Sequence, residues 1–494
     1  MLHRHRLLFA LLACMAALIT ARASANGRFP TAQHVLVGPG TRSDTIVLRA
    51  TFGLIISDDG GKTFRYVCED AMGYGGSSFD PAVGLDGSGR MFVGLFDGAV
   101  LVDVDRCGAA RTPTLEKQFV SDVDTNVKGD VVAVSTATGF VDDRNYVWRS
   151  TDSGGTFTRL GTGVLGVQFD TLELADTNDL RLYATALQLS PRRIIVYRSD
   201  DGGATLVDLT SFPQPDAIGA YVAAVDPVRA DTVYVRTIVA KVPGPGRQTA
   251  LFRTDDAGLT WKEVVRTTGL MTGFAISGDG ETLWIGGLDK ADGLQRSTDR
   301  GATWRRLGDT SVQCLRWHAD VLYVCASNEI DHYALGRSCD QGVTIHPLLG
   351  LTSIAGVFAC PASSLETTTC PGRLDAIRPQ FPTGDRPREE DCTSTRPDAG
   401  PDGTPLVDSG DETDDAASTP DTVGADADAS GRPDTSTTDA SSEGSTGSGS
   451  GCDCSLGSGT TRHEPATAQG MPSLVGLVLG SLALLRRRPS RRRP

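Results

Sequence analysis

Between about Gln33 and Gly350, hydrophobic residues fall into short runs separated by turn-forming residues, a pattern that predicts strands. GLII, NYVWR, RIIVYR, TALFR, GLQR and HYAL each lead into a turn rich in Asp and Gly. Apolar or alternating runs such as FRYVC and WKEVV follow, so the plain reading is strand, turn, strand. AAVDPVRADTVYVRT and AISGDGETLWIGG add an earlier strand and turn ahead of the central strand. Four strands per unit, at a period of about 45 residues, predict the blades of a β-propeller.

The turns repeat as well. SDDGGKTF (57–64) recurs as STDSGGTF (150–157), SDDGGATL (199–206), TDDAGLTW (254–261), STDRGATW (297–304) and, more loosely, SCDQGVTI (338–345). The copies start 93, 49, 55, 43 and 41 residues apart. The first interval is about twice the others. MFVGLFDGAVLVDVDRC (Met91 to Cys107) fills it with two strands in order, and DVDRCGAA stands where a turn copy would be. Counting that unit, the expected fold is all-β, a seven-bladed propeller, with six and eight blades as the alternatives. Radial closure removes long exposed sheet edges.

The shared frame is Ser/Thr-x-Asp-x-Gly-x-Thr followed by an aromatic or aliphatic residue. It comprises Ser57, Asp59, Gly61, Thr63 and Phe64; Ser150, Asp152, Gly154, Thr156 and Phe157; and Ser199, Asp201, Gly203 and Thr205. The later copies supply Thr254, Asp256, Gly258, Thr260 and Trp261; Ser297, Asp299, Gly301, Thr303 and Trp304; and Ser338, Asp340, Gly342 and Thr344. Six copies of this frame resemble the Asp-box, or bacterial neuraminidase repeat. Folding explains the spacing: the Asp carboxylate can accept bonds from backbone N–H groups that the ladder leaves unpaired. The Gly allows positive φ, and the closing aromatic packs inward. The resemblance implies that these turns are structural and lie away from the ligand face. Asp58 occupies a variable position, held elsewhere by Thr151, Asp200, Asp255, Thr298 and Cys339.

Both ends of the chain differ from this region. Residues 1–25 have a basic start, the apolar run LLFALLACMAALIT and Ala23-Ser24-Ala25, the layout of a secretory signal. Residues 383–450 are rich in Asp, Ser, Thr, Gly and Pro, the composition of a disordered stalk. Pro397–Ser450 carries thirteen acidic side chains and one basic one, which nearly accounts for the formal net charge of −14. The acidity therefore belongs to the linker and does not define a ligand. In residues 451–494, Cys452 and Cys454 in GCDCSLGSG precede LVGLVLGSLALL and RRRPSRRRP. That order resembles the myxobacterial C-terminal sorting signal, which implies attachment at the cell surface through the outer membrane. The mature domain would then span 26–350, with a small extension at 351–382.

Eight further cysteines, Cys68, Cys107, Cys314, Cys325, Cys339, Cys360, Cys370 and Cys392, form an even set in an exported chain and read as disulfides. Topology favours Cys314 with Cys325, Cys68 with Cys107, and Cys360 with Cys370. Their spacings match no common zinc pattern, so neither a metal nor another cofactor is expected.

The loops opposite the repeated turns are the expected ligand face. They carry Glu69, Asp70, Tyr74, Asp97, Asp142, Asp143, Arg144, Arg192, Arg193, Lys241, Arg247, Asp289, Lys290 and Asp292. Sialidases share the repeat, and their pattern implies an Arg-Ile-Pro element, two further arginines, an acid/base Asp and a Tyr activated by Glu. Here GRFP offers Arg28 and Pro30 with Phe29 between them, and the remaining members have no assignable position. Sialidase propellers also have six blades. Sortilin-type domains and photosystem assembly factors are architecturally more similar. Xyloglucanase-type hydrolases use paired Asp residues between two propellers, and only one propeller is visible here. The expected function is therefore a surface-attached, non-catalytic module or scaffold for a protein, peptide or glycan, with no nucleic-acid partner. A glycoside hydrolase, sialidase-like or otherwise exo-acting, is the alternative.

Overall fold

A computed structural model describes residues 29–389, apart from 76–79, 104–106, 127–130, 137–143, 214–216 and 241–245. Seven antiparallel sheets follow one another along the chain, each built from consecutive strands. They cover 32–68, 83–111, 119–159, 167–208, 217–266, 271–308 and 312–349, and are numbered here as blades 1 to 7. The protein is thus a seven-bladed β-propeller. The signal, the C-terminal motif and the stalk beyond residue 389 lie outside the described residues, whereas residues 383–389, counted above with the stalk, are ordered, and backbone and side-chain bonds hold them to the propeller.

Blade 2, placed from spacing alone, contains the strands Arg90–Leu95 and Gly98–Asp103 in the predicted order. First strands of neighbouring blades face one another around the ring, that of blade 7 meeting that of blade 1. Apolar cores fill the wedges between blades. Phe212 packs against Phe252 and Trp261 between blades 4 and 5. Trp284 and Trp317 stack at 4.6 Å between blades 6 and 7.

The repeated turns join the third and outer strands of six blades, and each copy has the same bonding. In blade 4, Ser199 Oγ donates to Asp201 Oδ1 at 2.8 Å and accepts from Gly203 N at 2.8 Å. Asp201 Oδ1 also accepts from Thr205 N at 2.8 Å. The fourth and fifth positions of the turn both have positive φ, for example Ala257 (56°) and Gly258 (92°). A Cβ on Gly258 would lie 2.4 Å from Leu209 of the preceding blade, so glycine is required there for both conformation and space.

The serine is buried, whereas the Thr205 N–H bonded by Asp201 faces solvent. Ser199→Ala should therefore lower unfolding stability by about 1–3 kcal/mol, the cost of orphaning a buried donor, and Asp201→Ala by less. Urea denaturation of the two variants checks that order.

An arginine precedes the repeat in blades 3 to 7, and those of blades 3 to 6 tie each blade to the next. Arg149 Nη1 donates to Asp179 O (3.1 Å) and Arg198 Nη1 to Ala257 O (2.9 Å). Arg253 Nη1 donates to Arg300 O (2.6 Å) and Arg296 Nη1 to Gln341 O (3.4 Å). Three of the acceptors, Ala257, Arg300 and Gln341, are the left-handed fourth residue of the next turn, whose conformation presents its carbonyl to the neighbour. Blade 1 has Ile56 at the arginine's place.

Among the described residues no strand is exchanged between blades 1 and 7; the chain beyond blade 7 reinforces that seam. Ala355 N donates to Phe64 O at 3.0 Å and Tyr66 N to Gly356 O at 2.8 Å, extending the outer edge of blade 1. Two short helices follow, Leu365–Thr368 and Cys370–Ile377. Disulfides join Cys68 to Cys370 and Cys107 to Cys360. These correct the expected pairs Cys68–Cys107 and Cys360–Cys370. The strap lies across both blades, so each blade cysteine meets a partner 302 or 253 residues away rather than its sequence neighbour. Cys314–Cys325 forms between paired residues of adjacent strands, as expected. Cys339 is also disulfide-bonded, and Cys392 lies outside the described residues. Residues 385–389 then run down blade 7: Arg386 N donates to His332 O, Glu389 N to Pro347 O, and Arg388 Nε to Gly61 O.

Candidate functional site

On the loop face, many of the expected ligand-binding side chains are engaged in internal contacts. Asp70 forms a two-point ion pair with Arg373 of the strap, at 2.7 and 2.9 Å. Glu69 lies in the same 3₁₀ turn, and Tyr74 is buried, which pushes its phenol well above its usual range, with the charge of Glu69 adding to the effect. Asp97 pairs with Arg111 at 3.1 Å, and Arg193 pairs with Asp208. Asp292 is buried and accepts from Thr268 N, Thr268 Oγ1 and Gly269 N at 2.7–2.8 Å, locking two loops together. Asp289 accepts from Ala291 N, and the Lys290 carbonyl from Arg306. Arg144 and Arg192 are exposed and donate to backbone carbonyls, Arg144 to Thr162 and Gly163 and Arg192 to Ile218. Arg247 is exposed, while Asp142, Asp143 and Lys241 lie outside the described residues.

Ionisable groups that the motif reading passed over cluster along the inner strands. Asp122 and Asp124 of blade 3 accept from Leu172 N and Leu174 N of blade 4, each at 2.8 Å. Burial raises Asp124, against the pull of the Leu174 and Thr125 N–H groups and Arg316. Burial also pushes Asp170 up to about 7. Asp176, in the turn after the first strand of blade 4, is exposed. Partial loss of hydration, with the charge of Asp124 nearby, raises it to about 7, and Arg316 of blade 7 opposes the shift. The same loss of water, with Arg316 adjacent, lowers His318 to about 4. Groups from blades 3, 4 and 7 thus share one electrostatic environment. Raised carboxyl groups of this kind can serve general acid chemistry.

A second site lies on the face of the repeated turns, over blades 4 to 6. It is an open groove of about 600 Å³ lined by Asn178, Arg181, Arg229, Asp231, Thr232, Arg253, Asp255 and Arg300, with the Ala230 backbone. Arg181 pairs with Asp200 and, at 2.6 Å, with Asp231. Asp255 holds Arg253 at 2.5 Å and Arg300 at 2.7 Å, while Arg229 bridges Asp226 and Glu281. With Arg198, which pairs with Asp200, five arginines meet five carboxylates, and the set is neutral. The sequence signal was present: Asp200 and Asp255 are the variable second residues of their repeats, and Arg198 and Arg253 immediately precede those repeats.

No family model matches the chain. A curated xyloglucanase from Paenibacillus sp is 28% identical over 214 residues, covering 41% of this chain and 18% of the xyloglucanase. The match therefore spans less than a fifth of that relative's length. Among solved structures, the GH74 enzyme of Niastella koreensis is 12% identical with a TM-score of 0.29, covering 63% of this chain and 62% of the enzyme. The structure of YCF48 bound to D1 peptide is 14% identical with a TM-score of 0.40, covering 60% of this chain and 96% of YCF48.

Proposed function

We propose that the chain is an exported, surface-attached β-propeller that binds a protein, peptide or glycan without catalysis. One observation carries this reading, and it moves the ligand site from the expected loop face to the repeated-turn face: the groove there presents fixed donors and acceptors over a volume typical of ligand sites. The disulfides support an oxidising compartment. No helix among the described residues is long and apolar enough to cross a membrane. Surface attachment rests on the resemblance of residues 451–494 to a sorting signal.

The second reading, a glycoside hydrolase, is favoured by the partial identity to a xyloglucanase and by the raised carboxyl groups of Asp124, Asp170 and Asp176. Incubation with aryl glycosides and plant polysaccharides separates the two. The binding reading expects no turnover. Hydrolysis that is lost in Asp176→Asn while the melting temperature holds would overturn it in favour of the hydrolase.

A further inference from the structure

We propose that the groove formed by Arg181, Arg229, Asp231, Arg253, Asp255 and Arg300 is a site for a neutral, hydroxyl-rich ligand, a short oligosaccharide. The inference rests on the binding-module reading and names its ligand class. Its first support is the mixture of groups. Guanidinium N–H groups donate and carboxylates accept, and a sugar hydroxyl does both, so vicinal hydroxyls can bridge an Arg and an Asp. Nε of Arg300 is buried with no hydrogen-bond partner among the described residues.

Charge supplies the second support. Arg253 and Arg300 share Asp255, and the five arginines of the surrounding network meet five carboxylates, so an acidic ligand would have to displace pairs already formed. A neutral ligand incurs no such cost.

Rigidity is the third. The side chains of Arg181, Arg253 and Arg300 are only 15, 18 and 23% exposed. Arg253 is tied to the next blade through the Arg300 carbonyl. Little side-chain entropy would be lost on binding. Leu180 and Val228, both exposed beside the groove residues Arg181 and Arg229, offer apolar surface to the C–H faces of a sugar.

The test is calorimetric titration of the disulfide-intact protein with cellotriose, xylotriose and maltotriose, and with trigalacturonate as the charged counterpart. At least one neutral trisaccharide should bind, with an affinity unchanged between low and high salt. Asp231→Asn, at the open rim, and Arg229→Lys, which keeps a cation beside buried Asp226, should each weaken it by about tenfold or more while the melting temperature stays put. If a neutral sugar binds both variants as it binds the parent, the groove is the wrong site and the module reading survives. Binding of trigalacturonate alone overturns the ligand class. Failure of every trisaccharide overturns the inference, and turnover of aryl glycosides in the same preparation would remove the module reading as well.

Discussion

Replacing Cys68 and Cys370 together by alanine should lower the unfolding free energy by about 2–5 kcal/mol, the range for loss of a native disulfide that closes a long loop. The bond spans 302 residues and joins the outer strand of blade 1 to a helix of the strap. Its loss frees the strap at the ring's seam, where Leu335 and Leu348 of blade 7 share a buried cluster with Ile46, Ile55 and Phe64 of blade 1. The effect should exceed that of opening Cys314–Cys325, which spans only 11 residues between strands already paired. Guanidinium denaturation of the two double variants under oxidising conditions measures both. Equal losses would mean that the strap does not hold the seam.

Thermal stability should peak in mildly acidic solution and fall on both sides. Asp170 and Asp176 titrate near 7 in the folded chain, against about 3.9 for an unfolded Asp, and Asp124 is raised as well. The native state therefore holds protons between about pH 4 and 7 that the unfolded chain has released, so stability declines as pH rises through that window. Asp152, Asp256 and Asp299 of the repeats are held near 2 by their hydroxyl and backbone donors. Their contribution is present above about pH 4 and is lost as pH falls towards 2. His318, lowered to about 4, works against the channel carboxylates, because below about pH 6.5 the unfolded chain takes up a proton that the native state resists. Three carboxylates outweigh one imidazole. Melting curves recorded from pH 3 to 8 should place the maximum near pH 4–5. A maximum above pH 7 would mean that the inner carboxylates are fully hydrated.

The blade count was legible because six blades spell out their own turn, and blade 2 could be placed by the gap it leaves. The hydrogen bonding of Ser199, Asp201, Gly203 and Thr205 follows from local chemistry and needs no distant partner. Disulfide pairing was not legible in the same way, since the partner of Cys68 is brought to it by a strap folded after six further blades. Asp70 illustrates the limit for the candidate site. Its loop was readable, whereas Arg373, which occupies it, lies 303 residues on. The groove was hidden for a related reason. Arg253 and Asp255 flank the first residue of a repeat, and only the adjacent blade shows that Asp255 also holds Arg300.

The strap also determines how a pull on the chain would be distributed. A load entering beyond residue 389 would first meet the backbone bonds of Glu389 and Arg386 along blade 7. Next in line is Cys370, which passes tension covalently into blade 1, and then Cys360, which passes it into blade 2. Blade 1 lacks the arginine tie that links its later neighbours, and both blades are cross-linked instead. A domain held at a surface by its C-terminal side would behave as a closed, covalently hooped ring under drag.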